Sequence, residues 1–210
     1  MAFPAHVTAE QLLDAMEGVA YLTDLDGVIL AVGHKGWADF AADNAVPWLK
    51  ADAVIGTSLF AALSGDATLD AYRRLHAALI SGRRAETVFE YRCDSPIAER
   101  HMRMSITAVA GEAGVAAVLY QSQMLAEVTR PALRLFSRDL RASRRQVSEP
   151  RRMVLLCSFC QRVAWPIGSN GKTRRWIDAT EYYRLGGPSD VTVSDSVCRE
   201  CAKQVVAPNV

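Results

Sequence analysis

Apolar positions along this chain fall into short runs at its start, into a helical period in its middle, and into an alternating period after that. Thr8 followed three residues later by Gln11 predicts a capping box, with Leu12, Leu13 and Met16 as the apolar side of a short helix. Two apolar runs, Val19-Ala20-Tyr21-Leu22-Thr23 and Val28-Ile29-Leu30-Ala31-Val32, flank Asp24-Leu25-Asp26-Gly27, and this predicts a β-hairpin. Short helices fit residues 36–44 and 57–63. A longer one fits 66–81, where Leu69, Tyr72, Leu75, His76 and Leu79 share a face and Gly82 lies just past the end. Three strand-like runs follow, over 85–93, 100–109 and 114–124.

Two hairpinned strands, a helical middle and a three-stranded meander resemble a PAS domain over about residues 8–125. The resemblance is carried by Asp24-Leu25-Asp26-Gly27 at the first turn, by Val54-Ile55-Gly56-Thr57-Ser58-Leu59-Phe60 before the long helix, and by Ser81-Gly82-Arg83 ahead of the third strand. It departs from the family at Gly33, where many members carry asparagine. The segment Tyr91-Arg92-Cys93-Asp94-Ser95-Pro96, followed by Arg100-His101-Met102-Arg103-Met104, resembles a signature of one bacterial PAS subgroup to which no chemistry is attached. The implied fold class is α+β: a PAS fold with a five-stranded antiparallel sheet and helices, occupying residues 1–128.

Charge changes this picture. The 210 residues carry a net charge of +1, which taken whole points to no class of partner. Divided, residues 1–129 hold 9 basic and 16 acidic groups for −7, residues 130–152 hold 8 arginines against two acids for +6, and residues 153–210 hold 7 against 5 for +2. The arginine-rich stretch reads as a basic connector helix over 129–152. Pro131 sits in its first turn, and Leu133, Phe136, Leu140 and Val147 form its stripe. Three roles fit such a helix: a solvated linker packed on the sheet, a signalling helix pairing two subunits, or a phosphate-binding surface whose affinity falls with salt.

Of five cysteines, four form two pairs, Cys157-Ser158-Phe159-Cys160 and Cys198-Arg199-Glu200-Cys201. No apolar run of 18 residues and no basic–apolar leader is present, so a cytoplasmic, membrane-free chain is expected. In that reducing setting, paired CxxC motifs read as metal ligands before disulfides. Two knuckles supply the four soft donors of a closed tetrahedral zinc site, with rubredoxin-like iron or dithiol chemistry as the other options. The 37 residues between the pairs exceed the roughly 15–20 of a simple ribbon. The insert must therefore carry structure, and Trp165, Trp176, Tyr182 and Tyr183 offer it a small core. Metal binding would drive the folding of a 58-residue tail, 153–210, with few aliphatic side chains. Four thiolates and a divalent ion would bring its charge from +2 to about 0.

The tail also resembles a small zinc-binding module at the C-termini of bacterial signalling proteins. The residues are Leu156 to Arg162, Trp176, Glu181-Tyr182-Tyr183 and Val193 to Cys201; Ser194-Asp195-Ser196 stands where that module usually has Ser-His-Gly.

For a ligand within the PAS region, the candidates are His76 as an axial haem ligand, with Met102, Met104 and His101 on a facing strand, and Trp37 with Phe40 as part of a ligand box. Each also fits an ordinary place in the core. Cys93 reads as a structural strand residue. No phosphate loop, nucleophile elbow or metalloprotease motif occurs, so no enzyme is expected. The chain reads as a sensory or regulatory protein, homodimeric, with structural zinc and a signalling protein as partner. The alternatives are a DNA-binding transcription regulator and a haem-based gas or redox sensor.

Overall fold

The computed structural model describes residues 7–44, 46–140, 152–167 and 173–206. Helix α1, Ala9–Asp14, carries the expected capping box: Thr8 and Gln11 exchange backbone-to-side-chain hydrogen bonds. Strands β1 (Val19–Thr23) and β2 (Ile29–Val32) form the hairpin. Its turn is closed by the Asp24 carboxylate, which accepts from the backbone N–H of Asp26 at 2.9 Å and of Val28 at 2.7 Å. Gly27 takes φ +80°, and a Cβ there would strike the Phe60 ring at 2.4 Å, so the turn demands glycine twice over.

Helices α2 (His34–Asp43), α3 (Leu59–Ala62) and α4 (Asp66–Ile80) follow. The α4 face predicted from periodicity buries Leu75, His76 and Leu79, and adds Thr68, Ala71 and Ala78. Strands β3 (Glu86–Arg92), β4 (Ala98–Gly111) and β5 (Gly114–Thr129) complete an antiparallel sheet in the order β2-β1-β5-β4-β3. The fold is α+β, and its strand order is that of a PAS domain. Alternation places Tyr21, Tyr120, Ile106 and Thr87 in one row, and Ser122, Met104 and Phe89 in the next, on the helix-facing side. Strands β4 and β5 are longer than predicted. Beyond the core they run on as a ribbon held by the Arg100–Glu127 ion pair at 2.6 Å, with Arg100 paired across from Glu127.

The C-terminal part has its own sheet: β6 (Arg152–Cys157), β7 (Val163–Ile167), β8 (Thr173–Ile177) and β9 (Val191–Ser196), in the order β8-β7-β6-β9. Strands β6 and β9 pair in parallel. The long insert between the cysteine pairs therefore does carry structure: β7, β8 and α5 (Ala179–Arg184) make the crossover that a parallel pair requires. A short α6, Arg199–Cys201, runs into a π-turn over Ala202–Val206.

The predicted connector helix is not found in its described part. Beyond Thr129 the chain makes two 3-10 turns, Arg134–Phe136 and Arg138–Leu140. The reason is competition for the apolar side chains. Leu135, Phe136 and Leu140 are buried with Leu156, Val163, Ile177, Tyr182, Val191 and Val193, and a tight turn sends the adjacent Leu135 and Phe136 into that core together, which an α-helical stripe does not. The Leu135 N–H donates to the Tyr183 hydroxyl at 2.9 Å. The predicted stripe named Leu133, Phe136, Leu140 and Val147 but omitted Leu135; Val147, with Arg141, Arg144 and Arg145, lies outside the described residues. Of the remaining connector arginines, Arg134 pairs with Asp139 at 2.8 Å, and Arg138 donates to the Asn44 carbonyl at 3.1 Å.

Candidate metal centre

Cys157 ends β6, and the chain reverses at once. The Gln161 N–H donates to the Cys157 carbonyl at 2.9 Å, and the Cys157 N–H to the Arg162 carbonyl at 2.8 Å. This tight knuckle forces Gln161 to φ +58°, the one non-glycine with positive φ among the described residues. Such a backbone costs roughly 1–2 kcal/mol for an L-residue. Gln161 offsets part of that by donating its side-chain amide to the same carbonyl at 3.3 Å. The second knuckle is a helix cap: the Cys198 sulfur accepts from the Cys201 N–H at 3.3 Å. Across the two knuckles, the Cys198 N–H donates to the Cys157 sulfur, also at 3.3 Å.

These turns bring the Sγ atoms of Cys157, Cys160, Cys198 and Cys201 within 4.8 Å of one another. The Cys160–Cys198 sulfur separation is 3.8 Å. A tetrahedral centre with metal–sulfur bonds of about 2.3 Å sets its sulfurs about 3.8 Å apart, so the donors fit a soft cation such as zinc. Cys157 and Cys198 are fully buried and Cys201 is 8% exposed. Hydrogen bonds from Cys160 and then Cys201 push the Cys157 thiol far below its usual range, and the Cys160 thiol is raised to about 12 chiefly because it is the donor to Cys157. Cys201 is raised for the same reason, and Cys198 foremost by burial.

The first knuckle is not peripheral. Its tip residue Phe159 is 2% exposed. It stacks on Tyr72 of α4 at 6.0 Å and meets Phe89 of β3 edge-on at 5.5 Å, the two favoured aromatic geometries. The Arg92 N–H of β3 donates to the Phe159 carbonyl at 2.7 Å, and the Thr68 and Ser158 hydroxyls lie 2.6 Å apart. Gly65, φ +77°, sits so close that a Cβ would lie 2.2 Å from the Asp195 carbonyl oxygen. Cys157, Cys198, Cys201 and Val205 therefore share one hydrophobic cluster with Leu75, Leu79, Ile106 and Tyr120.

His76 is not placed as a haem ligand. Its Nε2 meets the Leu25 carbonyl at 3.2 Å and so carries the proton; Nδ1, 2.8 Å from the Tyr120 hydroxyl, then accepts from it. With Phe60 edge-on at 5.3 Å and Tyr120 stacked at 6.1 Å, no nitrogen lone pair is left for iron, and these residues do not fit that group. Met104 and Met102 are buried core residues on β4, and His101 is exposed beside Glu99 at 2.9 Å. Trp37 is half-buried against Ile29, Val32 and Ala51 and gives its indole N–H to the Leu49 carbonyl at 2.8 Å. Cys93 is half-buried on the edge beside Tyr72 and Tyr91. Burial lowers the His76 pKa below its ordinary value. The unfolded chain thus takes up a proton before the folded one does, and folding stability falls as pH drops through the unfolded value of about 6.5. His76→Gln is expected to flatten that part of the stability profile between about pH 7 and 5, measured by denaturant midpoints at each pH.

Sequence reading missed two functional elements. One is the Phe159 wedge, hidden because its partners lie far away in the chain. The other is the role of the Arg92–Pro96 segment, a signature with no chemistry attached to it in the sequence, which proves to be a junction. The Asp94 side chain is 0% exposed and takes ion pairs from Arg92 at 2.5 Å and Arg130 at 2.9 Å, plus the Arg100 N–H at 3.2 Å. Arg130 in turn lies over the Phe136 ring at 4.5 Å and donates to the Ser95 carbonyl at 2.9 Å. The Leu133 N–H closes on the Pro96 carbonyl at 2.8 Å. An acidic residue inside a strand-end turn followed by arginines was the available signal.

No protein-family model matches the chain, and no curated protein sequence matches it. Among solved structures, it is similar to the PAS domain of Bordetella pertussis BvgS at 13% identity and a TM-score of 0.43, covering 55% of this chain and 82% of that one. It is similar to a C-terminal domain from Streptococcus mutans at 15% identity and a TM-score of 0.45, covering 60% and 91%. A third similarity is to Vibrio cholerae VqmA, described in complex with ligand and DNA, at 16% identity and a TM-score of 0.42, covering 58% of this chain and 53% of that one. At these values the likenesses say nothing of what this chain binds.

Proposed function

We propose that this chain is a non-enzymatic regulatory protein, in which a PAS-type domain receives a signal and a four-thiolate zinc module presents it to a protein partner. The observation that carries the reading is the convergence of four cysteine sulfurs within 4.8 Å on a module whose first knuckle is packed into the PAS core. A closed set of four protein ligands leaves no position for substrate, which favours a structural metal over a catalytic one. Zinc suits four thiolates in tetrahedral array. Among the described residues no helix is long and apolar enough to cross a membrane. The protein acts as a homodimer in this reading, and the exposed Val7 and Leu12 at α1, 42% and 48% accessible, support a second copy there.

Elemental analysis and thiol titration of the purified full chain test the reading. One zinc per chain is expected, with the four ligand cysteines protected from the thiol reagent. Under half an equivalent, with all the cysteines titrating, would overturn the zinc module. Sedimentation of the same sample as monomer at every concentration would remove the homodimer.

A further inference from the structure

We propose that the metal centre is a clasp on the PAS sheet, so that metal occupancy controls the packing of β3 and α4; this rests on the zinc reading above. Strand β3 is an edge of the five-stranded sheet. An open edge presents unpaired N–H and C=O groups that must be covered. Arg92, the last residue of β3, turns its N–H outward to the Phe159 carbonyl at 2.7 Å, within the loop between Cys157 and Cys160. The same loop fills the space between Tyr72 and Phe89 with the Phe159 ring and sets Ser158 2.6 Å from Thr68. One knuckle thus caps the Arg92 end of the sheet edge, wedges the α4–β3 aromatic surface and holds two of the four sulfurs.

The knuckle is kept in shape by what it binds. Gln161 sits at φ +58°, and four buried or half-buried thiols crowd together. Removing the cation withdraws the constraint that points Phe159 at α4. Phe159 rests on Tyr72 and Phe89; Phe89 in turn meets Tyr91 edge-on at 6.3 Å, and Tyr91 is hydrogen-bonded to Ser122 at 2.6 Å on the inner face of the sheet. Beside it, Arg92 binds Asp94 and through it Arg130. The clasp therefore touches both the PAS interior and the start of the connector. Coupling is reciprocal: whatever rearranges the inner face of α4 and β3 also alters how tightly the metal is held.

The test is amide hydrogen exchange on the intact chain, zinc-loaded and then stripped with a strong chelator. The Arg92 amide is the direct reporter, with Leu22 and Ala31 in the β1–β2 hairpin as internal controls. Stripping is expected to speed Arg92 exchange at least tenfold and to loosen Leu75 and Leu79, with the hairpin changed far less and protection restored by zinc. Tyr72→Ala is expected to bind one zinc yet show the faster Arg92 exchange with zinc present. A chain that binds zinc, but whose Arg92 and α4 amides exchange identically with and without it, overturns the clasp and leaves the zinc module standing. A chain that takes up no zinc overturns both. If Tyr72→Ala does not fold, the wild-type comparison decides alone.

Discussion

Cys157→Ser is expected to abolish zinc binding and unfold the C-terminal sheet. Cys157 gives a sulfur to the centre, receives the Cys198 N–H, and ends β6 in the middle of the four-stranded sheet. Structural zinc contributes an apparent ~10–16 kcal/mol in small modules. That matches or exceeds the whole stability of a typical domain, about 5–15 kcal/mol. A serine oxygen is a harder donor than the thiolate it would replace. The measurements are zinc content and the near-ultraviolet signal of Trp165 and Trp176, both expected to collapse. Cys93→Ser is the control and is expected to keep one zinc. A serine variant that retains its zinc and its tryptophan signal would show that the sheet stands without this ligand.

Asp94→Asn is expected to lower the melting temperature sharply without touching the metal ligands. The carboxylate is fully buried, whereas Arg92 and Arg130 are 20% and 14% exposed, so solvent screens them little. Breaking a buried pair leaves an uncompensated charge and costs about 3–5 kcal/mol. Glu99, 2.7 Å from Arg92 and 3.7 Å from Arg130, remains as a partial partner, so about 3 kcal/mol is the better figure. For a chain of this size that is roughly 6–12 °C. Zinc stoichiometry is expected to stay at one per chain, which separates this variant from Cys157→Ser. An unchanged melting temperature would mean that Glu99 carries both guanidinium groups alone.

The two variants probe the two groups that Arg92 connects. Arg92 gives its backbone to the metal knuckle and its side chain to Asp94, so the last residue of β3 and the turn after it join the sheet, the connector and the cysteine centre. The connector itself shows why a charge pattern misleads. Its arginines suit a solvated helix, and Leu133, Phe136 and Leu140 can be drawn on one face three and four residues apart. Nothing in that pattern registers that the core beside it has room for Leu135, Phe136 and Leu140 together. Local propensity is worth tenths of a kcal/mol per residue, whereas burying one large side chain is worth about 1.5–3 kcal/mol, and burial decides.

Which of its two open readings His76 takes is settled in the same way. Its place on the α4 face follows from a period of 3.6, which says that it points inward but not what it meets. A carbonyl from the β1–β2 turn and a hydroxyl from β5 occupy both nitrogens, and each comes from a segment far away in the chain.

Read alone, the chain determines what is local: the capping box at Thr8, the Asp-Gly hairpin, the α4 face, the alternation of β3 to β5, and two knuckles whose thiols suit a soft cation. Each rests on spacings of two to four residues, over which backbone geometry is nearly rigid. Tertiary structure alone decides that the 37-residue insert crosses over to make β6 and β9 parallel. It decides that the connector turns in 3-10 steps, that Asp94 gathers two arginines, and that Phe159 meets the end of β3 and packs against Tyr72 and Phe89. Those contacts join segments separated by tens of residues. They are chosen by competition for buried space and for hydrogen-bond partners, which no short window of sequence contains.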